Sequence, residues 1–268
     1  MPRYRLTLEY DGRPFAGWQR QGDLPTVQRA VEAAVAAAFG ETVTLVAAGR
    51  TDAGVHALAQ VAHLDLARPR EPRVLREALN FHLRPDPVVV LAAEAVADGF
   101  NARFSATGRA YLYRILVRPA RPALDEGRVW FRPRPHDLAA MRAAAAQLLG
   151  RHDFSSFRAA QCQAKSPLRT LDRLDVEAAG EEIHIRAAAR SFLHNQVRIM
   201  VGTLAEIGVG RRPAAAMAAI LAARDRAAAG QSAPPHGLYL TAVSYPSAQP
   251  VAHVVDEQGE RDVDGDDA

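Results

Sequence analysis

Apolar and polar residues alternate strictly in "YRLTLEY": Tyr4, Leu6, Leu8 and Tyr10 fall on one side and Arg5, Thr7 and Glu9 on the other. That period of two is the mark of a half-buried strand. In "TVQRAVEAAVAAAFG" the period changes, and Val27, Val31, Val35 and Phe39 share one helical face, with Thr26 able to cap the start and Gly40 placed just past the end. The pattern then predicts strands at 42–48 and 60–66, a helix in "VLREALNFHL" and a strand in "VVVLAAEAV". The order is strand, helix, strand, strand, helix, strand.

The second half repeats it. Tyr111, Tyr113, Ile115 and Val117 alternate with Leu112, Arg114 and Leu116, and a helix is predicted from Asp137 to Leu149, stopping at Gly150. "LRTLDRLDVEAAGEEIHIRAAA" reads as a hairpin turning near Gly180. Helices follow at 197–209 and, after Pro213, at 214–224, and "LYLTAVSY" closes with a strand. The expected fold class is α+β: two ferredoxin-like halves, 1–106 and 107–246, whose strands form a mostly antiparallel sheet flanked by helices, with a central cleft between them. The repeat lies in element order, not in residue identity.

Composition narrows the function classes. Apolar residues make up 49% and charged residues 24% of 268, the values of an ordinary globular protein. No window reads as a membrane span and "MPRYRLTLEY" lacks the apolar core of a signal peptide, so a cytoplasmic protein is expected. Cys162 is the single cysteine, which excludes an internal disulfide and a cysteine-cluster metal site. The segment 247–268 ends in seven acids against Arg261; its net charge of −6 leaves +9 on the remainder of a chain whose total is +3. This acidic tail reads as disordered, and the arginine-rich body suits a polyanionic partner.

Three stretches carry candidate chemistry. In "GRTDAGVHA", Gly49 and Gly54 allow a tight exposed loop that holds Asp52 on its backbone, and Arg50 stands close enough along the chain to pair with it. A turn aspartate with a surface ion pair is the plainer reading of the same residues. In "FNARFSATGRAYLYRI", Asn101, Arg103, Ser105, Thr107 and Arg109 are candidates to contact phosphate or ribose, with Tyr111 opening the next strand. In "SFLHNQVRIMVG", Arg198 falls among apolar neighbours near a helix start, where an arginine either reaches solvent or meets an acid such as Asp52. No metal-ligand spacing, phosphate-binding glycine loop or GxSxG elbow is present. On the residues alone, a non-catalytic RNA binder and an acid–base enzyme acting on a small nucleotide or sugar remain alternatives.

Taken together, "EYDGRPFAGWQRQ", "AAGRTDAGVHALAQVAHL", "FNARFSATGRAYLYRI", "HDFSSFRAAQCQAKSPLRT", "FLHNQVRIMVGTL" and "GLYLTAVSYP" resemble the bacterial tRNA pseudouridine synthase A family, in order from Tyr4 to Pro246. The resemblance implies isomerisation of uridine to pseudouridine at positions 38, 39 and 40 of the tRNA anticodon stem-loop, with no metal and no organic cofactor, by a homodimer that shares each tRNA. By motif it makes Asp52 the catalytic residue, Arg50 its positioning partner and Tyr111 the residue packing on the target base. It also pairs Arg198 with Asp52 and places Leu238 in the uracil pocket. Arg103 is then a candidate to brace the gap left by a flipped uridine, with Asn101 beside it on the substrate. Where relatives tend to carry a second basic residue before the tyrosine, this chain has Ala110.

Overall fold

The computed structural model describes residues 1–246; the acidic tail, 247–268, lies outside the described residues. The chain forms β1 (Arg3–Tyr10), α1 (Val27–Phe39), β2 (Val46–Ala47), β3 (His56–Asp65), α2 (Pro72–His82) and β4 (Val88–Val96). It continues with β5 (Gly108–Val117), β6 (Trp130–Arg132), α3 (Leu138–Ala146), β7 (Gly150–Asp153), β8 (Leu168–Ala179), β9 (Glu182–Ala189), α4 (Gln196–Gly208), α5 (Ala216–Ala223) and β10 (Leu238–Ser244). One sheet runs β4-β1-β3-β10-β5-β9-β8-β7, with β2 beside β3 and β6 beside β5. The α+β class is as the periodicity predicts.

Within the sheet, β4-β1-β3-β2 and β10-β5-β9-β8 repeat one spatial order. Each is a strand pair flanked by the last and second strands of its own half. The seam is β10 against β3, a short parallel pairing of Tyr239 with His56 and Leu240 with Ala57. Most other pairings are antiparallel.

Two cores follow from the two apolar patterns. Tyr4, Leu6, Leu8 and Tyr10 of β1 are buried against Val27, Val31 and Val35 of α1 and Leu75 and Leu79 of α2. Burying each such aliphatic side chain contributes about 1.5–3 kcal/mol. Thr26 accepts from the Arg29 N–H to cap α1, and Gly40 takes a left-handed φ of 67° at its end. The second core gathers Tyr113, Ile115, Ile183 and Ile185 of the sheet under Met141, Ile199, Met200 and Leu204 of the helices. Tyr111 is half-buried and packs against both cores, so it stands on the seam.

The expected strand at 42–48 shortens to Val46–Ala47. One cause is visible. The Glu32 carboxylate of α1 accepts from the Leu45 N–H, and the Gln28 amide donates to the Leu45 carbonyl, which takes that residue out of the ladder. β3 itself begins at His56, earlier than the expected 60. The predicted helix at 137–149 has Asp137 as its cap and ends at Ala146, where the Gln147 side chain donates to the Ala143 and Ala214 carbonyls. β6 and β7, three and four residues long, are too short to show a period.

Candidate active site

The loop between β2 and β3 is set by contacts from the segment that follows β1. The Trp18 N–H donates to the Thr51 carbonyl at 3.0 Å, and the Val55 N–H closes a turn onto the Asp52 carbonyl at 3.1 Å. Thr51 is buried, and its hydroxyl lies 2.8 Å from the Tyr10 hydroxyl. The Gln60 amide donates to the Gly49 carbonyl at 2.8 Å. Gly17 has a φ of 103°, and a Cβ there would stand 2.8 Å from the Thr51 carbonyl oxygen. A side chain at Gly17 would therefore displace the loop. Gly54 takes the left-handed φ of 75° that the loop needs, whereas Gly49 has neither a positive φ nor a close neighbour.

Asp52 emerges from this loop with its side chain about one-third exposed and meets α4 across the seam. Arg198 Nη1 donates to Asp52 Oδ2 at 3.2 Å. The same guanidinium donates to Asn195 Oδ1 at 2.9 Å and, through Nε, to the Ala233 carbonyl at 2.8 Å. Three acceptors fix it, so the carboxylate meets a cation whose position is already decided. Asn195, at the start of α4, takes a left-handed φ of 61°, and its side chain serves Arg198 and not the helix N–H groups. His194 Nε2 stands 3.3 Å from Asp52 Oδ1. Arg198 thus faces one oxygen of the carboxylate and the His194 imidazole the other.

Tyr111 lies near enough that the Asp52 carboxylate and the Tyr10 phenol add to the effect of burial in pushing its hydroxyl well above the usual phenol range. It therefore stays a neutral aromatic surface. Phe192 meets it edge to face, centroids 5.3 Å apart. Burial likewise pushes Tyr10 up to about 12. Tyr113, one pleat along, donates to the Pro234 carbonyl at 2.7 Å and so holds the chain that supplies Ala233 to Arg198. Leu238 is 6% exposed and pairs with Tyr113, while Leu240 is the residue opposite Tyr111.

The predicted site residues separate into those the fold gathers and those it does not. Asp52, Arg198 and Tyr111 come together, with Leu238 in the apolar floor. Arg50 does not pair with Asp52: its side chain is exposed and makes no ion pair among the described residues, because the loop turns it outward as Thr51 goes in. Asn101 is occupied in its own turn, accepting from the Arg103 and Phe104 N–H groups. Ser105 accepts from the Asn101 N–H. Arg109 is a brace, its guanidinium donating to the carbonyls of Ala48, Arg103 and Arg190 at 2.7–2.8 Å. That brace fixes the 101–106 turn to the root of the Asp52 loop. Arg103 stays exposed on this turn, over the ring of Phe104, which is 76% exposed.

Sequence reasoning missed His194, Phe192 and Phe104. The first two lie in the block that carries Arg198, where no spacing or period in the sequence singles them out. Among the described residues, no three His, Cys, Asp or Glu side chains converge as a metal-ligand set, and no helix is long and apolar enough to cross a membrane.

Comparison with known proteins gives this geometry a context. The chain is 59% identical over 248 residues to the tRNA pseudouridine synthase A of Mesorhizobium japonicum, covering 92% of this chain and all of that protein. It is 58% identical over 246 residues to the tRNA pseudouridine synthase A of Azorhizobium caulinodans, covering 92% and 95%. It is 59% identical over 245 residues to that of Rhodospirillum centenum, covering 91% and all. The profile of the tRNA pseudouridine synthase family matches residues 7–105 and 144–246, which include both the Asp52 loop and the start of α4, and the chain belongs to that family.

Proposed function

We propose that this chain converts uridine to pseudouridine at positions 38, 39 and 40 of the tRNA anticodon stem-loop, with Asp52 as the group that acts on the nucleotide. The observation that carries the reading is the Asp52 carboxylate held by Arg198 beside the neutral ring of Tyr111, in a seam between two cores. The reaction breaks the bond from C1′ to N1 of uracil, rotates the base and joins C1′ to C5; the C5 proton leaves and N1 gains one. Asp52 attacks C1′, adds to C6, or removes the 2′ proton to give a glycal, and each route starts from an ionised carboxylate. Arg198 holds the carboxylate through its hydrogen bond to Oδ2 without being consumed.

The freed base must stay in place while it turns. Tyr111, with Phe192 at its edge and Leu238 beneath, supplies apolar surface that holds uracil and keeps water from C1′, where it would give hydrolysis. A uridine within a stem is stacked and paired, so it is flipped into the seam at a cost of a few kcal/mol. Arg103, exposed on a turn braced to the Asp52 loop, is placed to support the opened stem, with Phe104 beside it. Arg50, exposed on the loop, then serves RNA and not Asp52, and Asn101 acts by shaping the turn. The halves 1–106 and 107–246 are the two walls of the site, one bearing the carboxylate and the other its cation. The working form is a cytoplasmic homodimer.

Mapping pseudouridine in an unmodified tRNA transcript after incubation with the protein tests the assignment of position. Product at 38, 39 and 40 alone supports it; product elsewhere contradicts it. Because arginines displace condensed counterions, tRNA affinity should fall steeply with added salt, and a flat response would contradict phosphate-led binding.

A further inference from the structure

The two oxygens of Asp52 are held unequally. Oδ2 receives a hydrogen bond from Arg198, whose guanidinium has two further acceptors and whose side chain is only 15% exposed. Oδ1 faces His194, whose imidazole stands at ion-pair range, is 37% exposed, and makes no other polar contact among the described residues. The histidine backbone is fixed: its N–H donates to Cys162 Sγ at 3.5 Å and its carbonyl accepts from the Ala159 N–H at 3.1 Å. Its ring is thus held at Oδ1 alone, whereas Arg198 is held by three acceptors.

We infer that Oδ1 is the oxygen that acts on the uridine, and that His194 is a positioning residue which occupies Oδ1 in the free enzyme and yields it to the substrate. The inference rests on the assignment of Asp52 above. If Asp52 attacks C1′, an Oδ1 lone pair forms the new bond as the C1′–N1 pair leaves on uracil. If it acts as a base, the same pair takes the 2′ proton as C1′ loses the base. In both, Oδ1 must be free, and the partner that can leave is the imidazole.

Around the imidazole, and around the Cys162 that anchors its backbone, stand Asp52 from the loop, Arg198 from α4, Arg158 from the segment before β8 and Arg169 from β8. Of these, Asp52 is the group that the ring itself meets. Because the imidazole leaves before uridine reaches Oδ1, its removal acts on kcat/KM, which reports the free enzyme, and not on kcat, which reports the complex in which Oδ1 is already released.

The test is steady-state kinetics on tRNA transcript with wild type, His194→Gln, His194→Ala and Asp52→Asn. Thermal melting and tRNA binding are followed alongside to confirm folding. The expected result is a kcat/KM raised several-fold in His194→Ala, where no ring need be displaced, with a smaller rise in His194→Gln, whose amide still reaches Oδ1, and with kcat changed far less than kcat/KM. An unchanged or lowered kcat/KM in His194→Ala would overturn the inference, and so would a fall in kcat as deep as that of Asp52→Asn. Turnover by Asp52→Asn would instead remove the assignment of Asp52, so the two failures are distinct.

Discussion

The two halves of the sheet share one strand order and differ in the connection between their second and third strands. In the second half, β8 and β9 pair along almost their whole length and turn tightly at Gly180, from Ala179 opposite Glu182. In the first, β2 keeps two residues and the chain between Ala47 and His56 becomes the Asp52 loop. The shortened ladder has two consequences at once. It frees the start of β3 to receive β10, which joins the halves, and it places Asp52 at that join, opposite Arg198. A site is thus obtained by leaving a repeat incomplete, and its full counterpart shows what the loop replaced.

Substitutions on the two sides should separate these roles. The largest effect is expected for Arg198→Met, which keeps length but removes the cation. Turnover should fall on the order of 10²-fold, with tRNA affinity little changed, as single-turnover rates and equilibrium binding would reveal. Next is Gly17→Ala, which forces a side chain into a left-handed position against the Thr51 carbonyl. It should destabilise the protein by roughly 1–3 kcal/mol and lower turnover with it, because the strain falls on the Asp52 loop. Gly180→Ala provides the contrast. Its φ of 62° disfavours a side chain but nothing lies within 4 Å, so a melting experiment should show about 1 kcal/mol lost with activity intact.

The smallest effect is expected for Tyr10→Phe, which removes the hydroxyl beside Thr51 and should cost about 1 kcal/mol. It also changes the pH dependence. The Tyr10 phenol is raised from 10.0 to about 12 in the folded chain, so the unfolded chain releases that proton first and stability falls as pH rises through this interval. Denaturant melts between pH 10 and 12 should fall less steeply for Tyr10→Phe than for wild type.

The parts of this arrangement legible in the sequence are those fixed by local period. The alternation of Tyr4, Leu6, Leu8 and Tyr10 and the helical face of Val27, Val31 and Val35 appear in the fold as patterned, because each reports burial of one face. What local pattern could not carry is competition between distant partners. Whether 42–48 pairs along its length depends on Glu32 and Gln28 of the helix before it, which take up the backbone of Leu45. The same limit applies at the site. Nearness in the chain suggests Arg50 as a partner of Asp52, yet its side chain is exposed and makes no ion pair among the described residues. Arg198, 146 residues away, holds the carboxylate instead, as its apolar surroundings and the motif resemblance both suggest. His194 went unread because a histidine beside an asparagine carries no spacing signal until Asn195 turns the chain.

The most direct measurement uses unmodified tRNA transcript carrying tritium at C5 of uridine, incubated with wild type and with Asp52→Asn without added metal or cofactor. Release of tritium by wild type, with none from a variant that still binds tRNA, is the result predicted for a carboxylate that acts on the nucleotide. Equal release from both, or tRNA binding with no release from either, would contradict it.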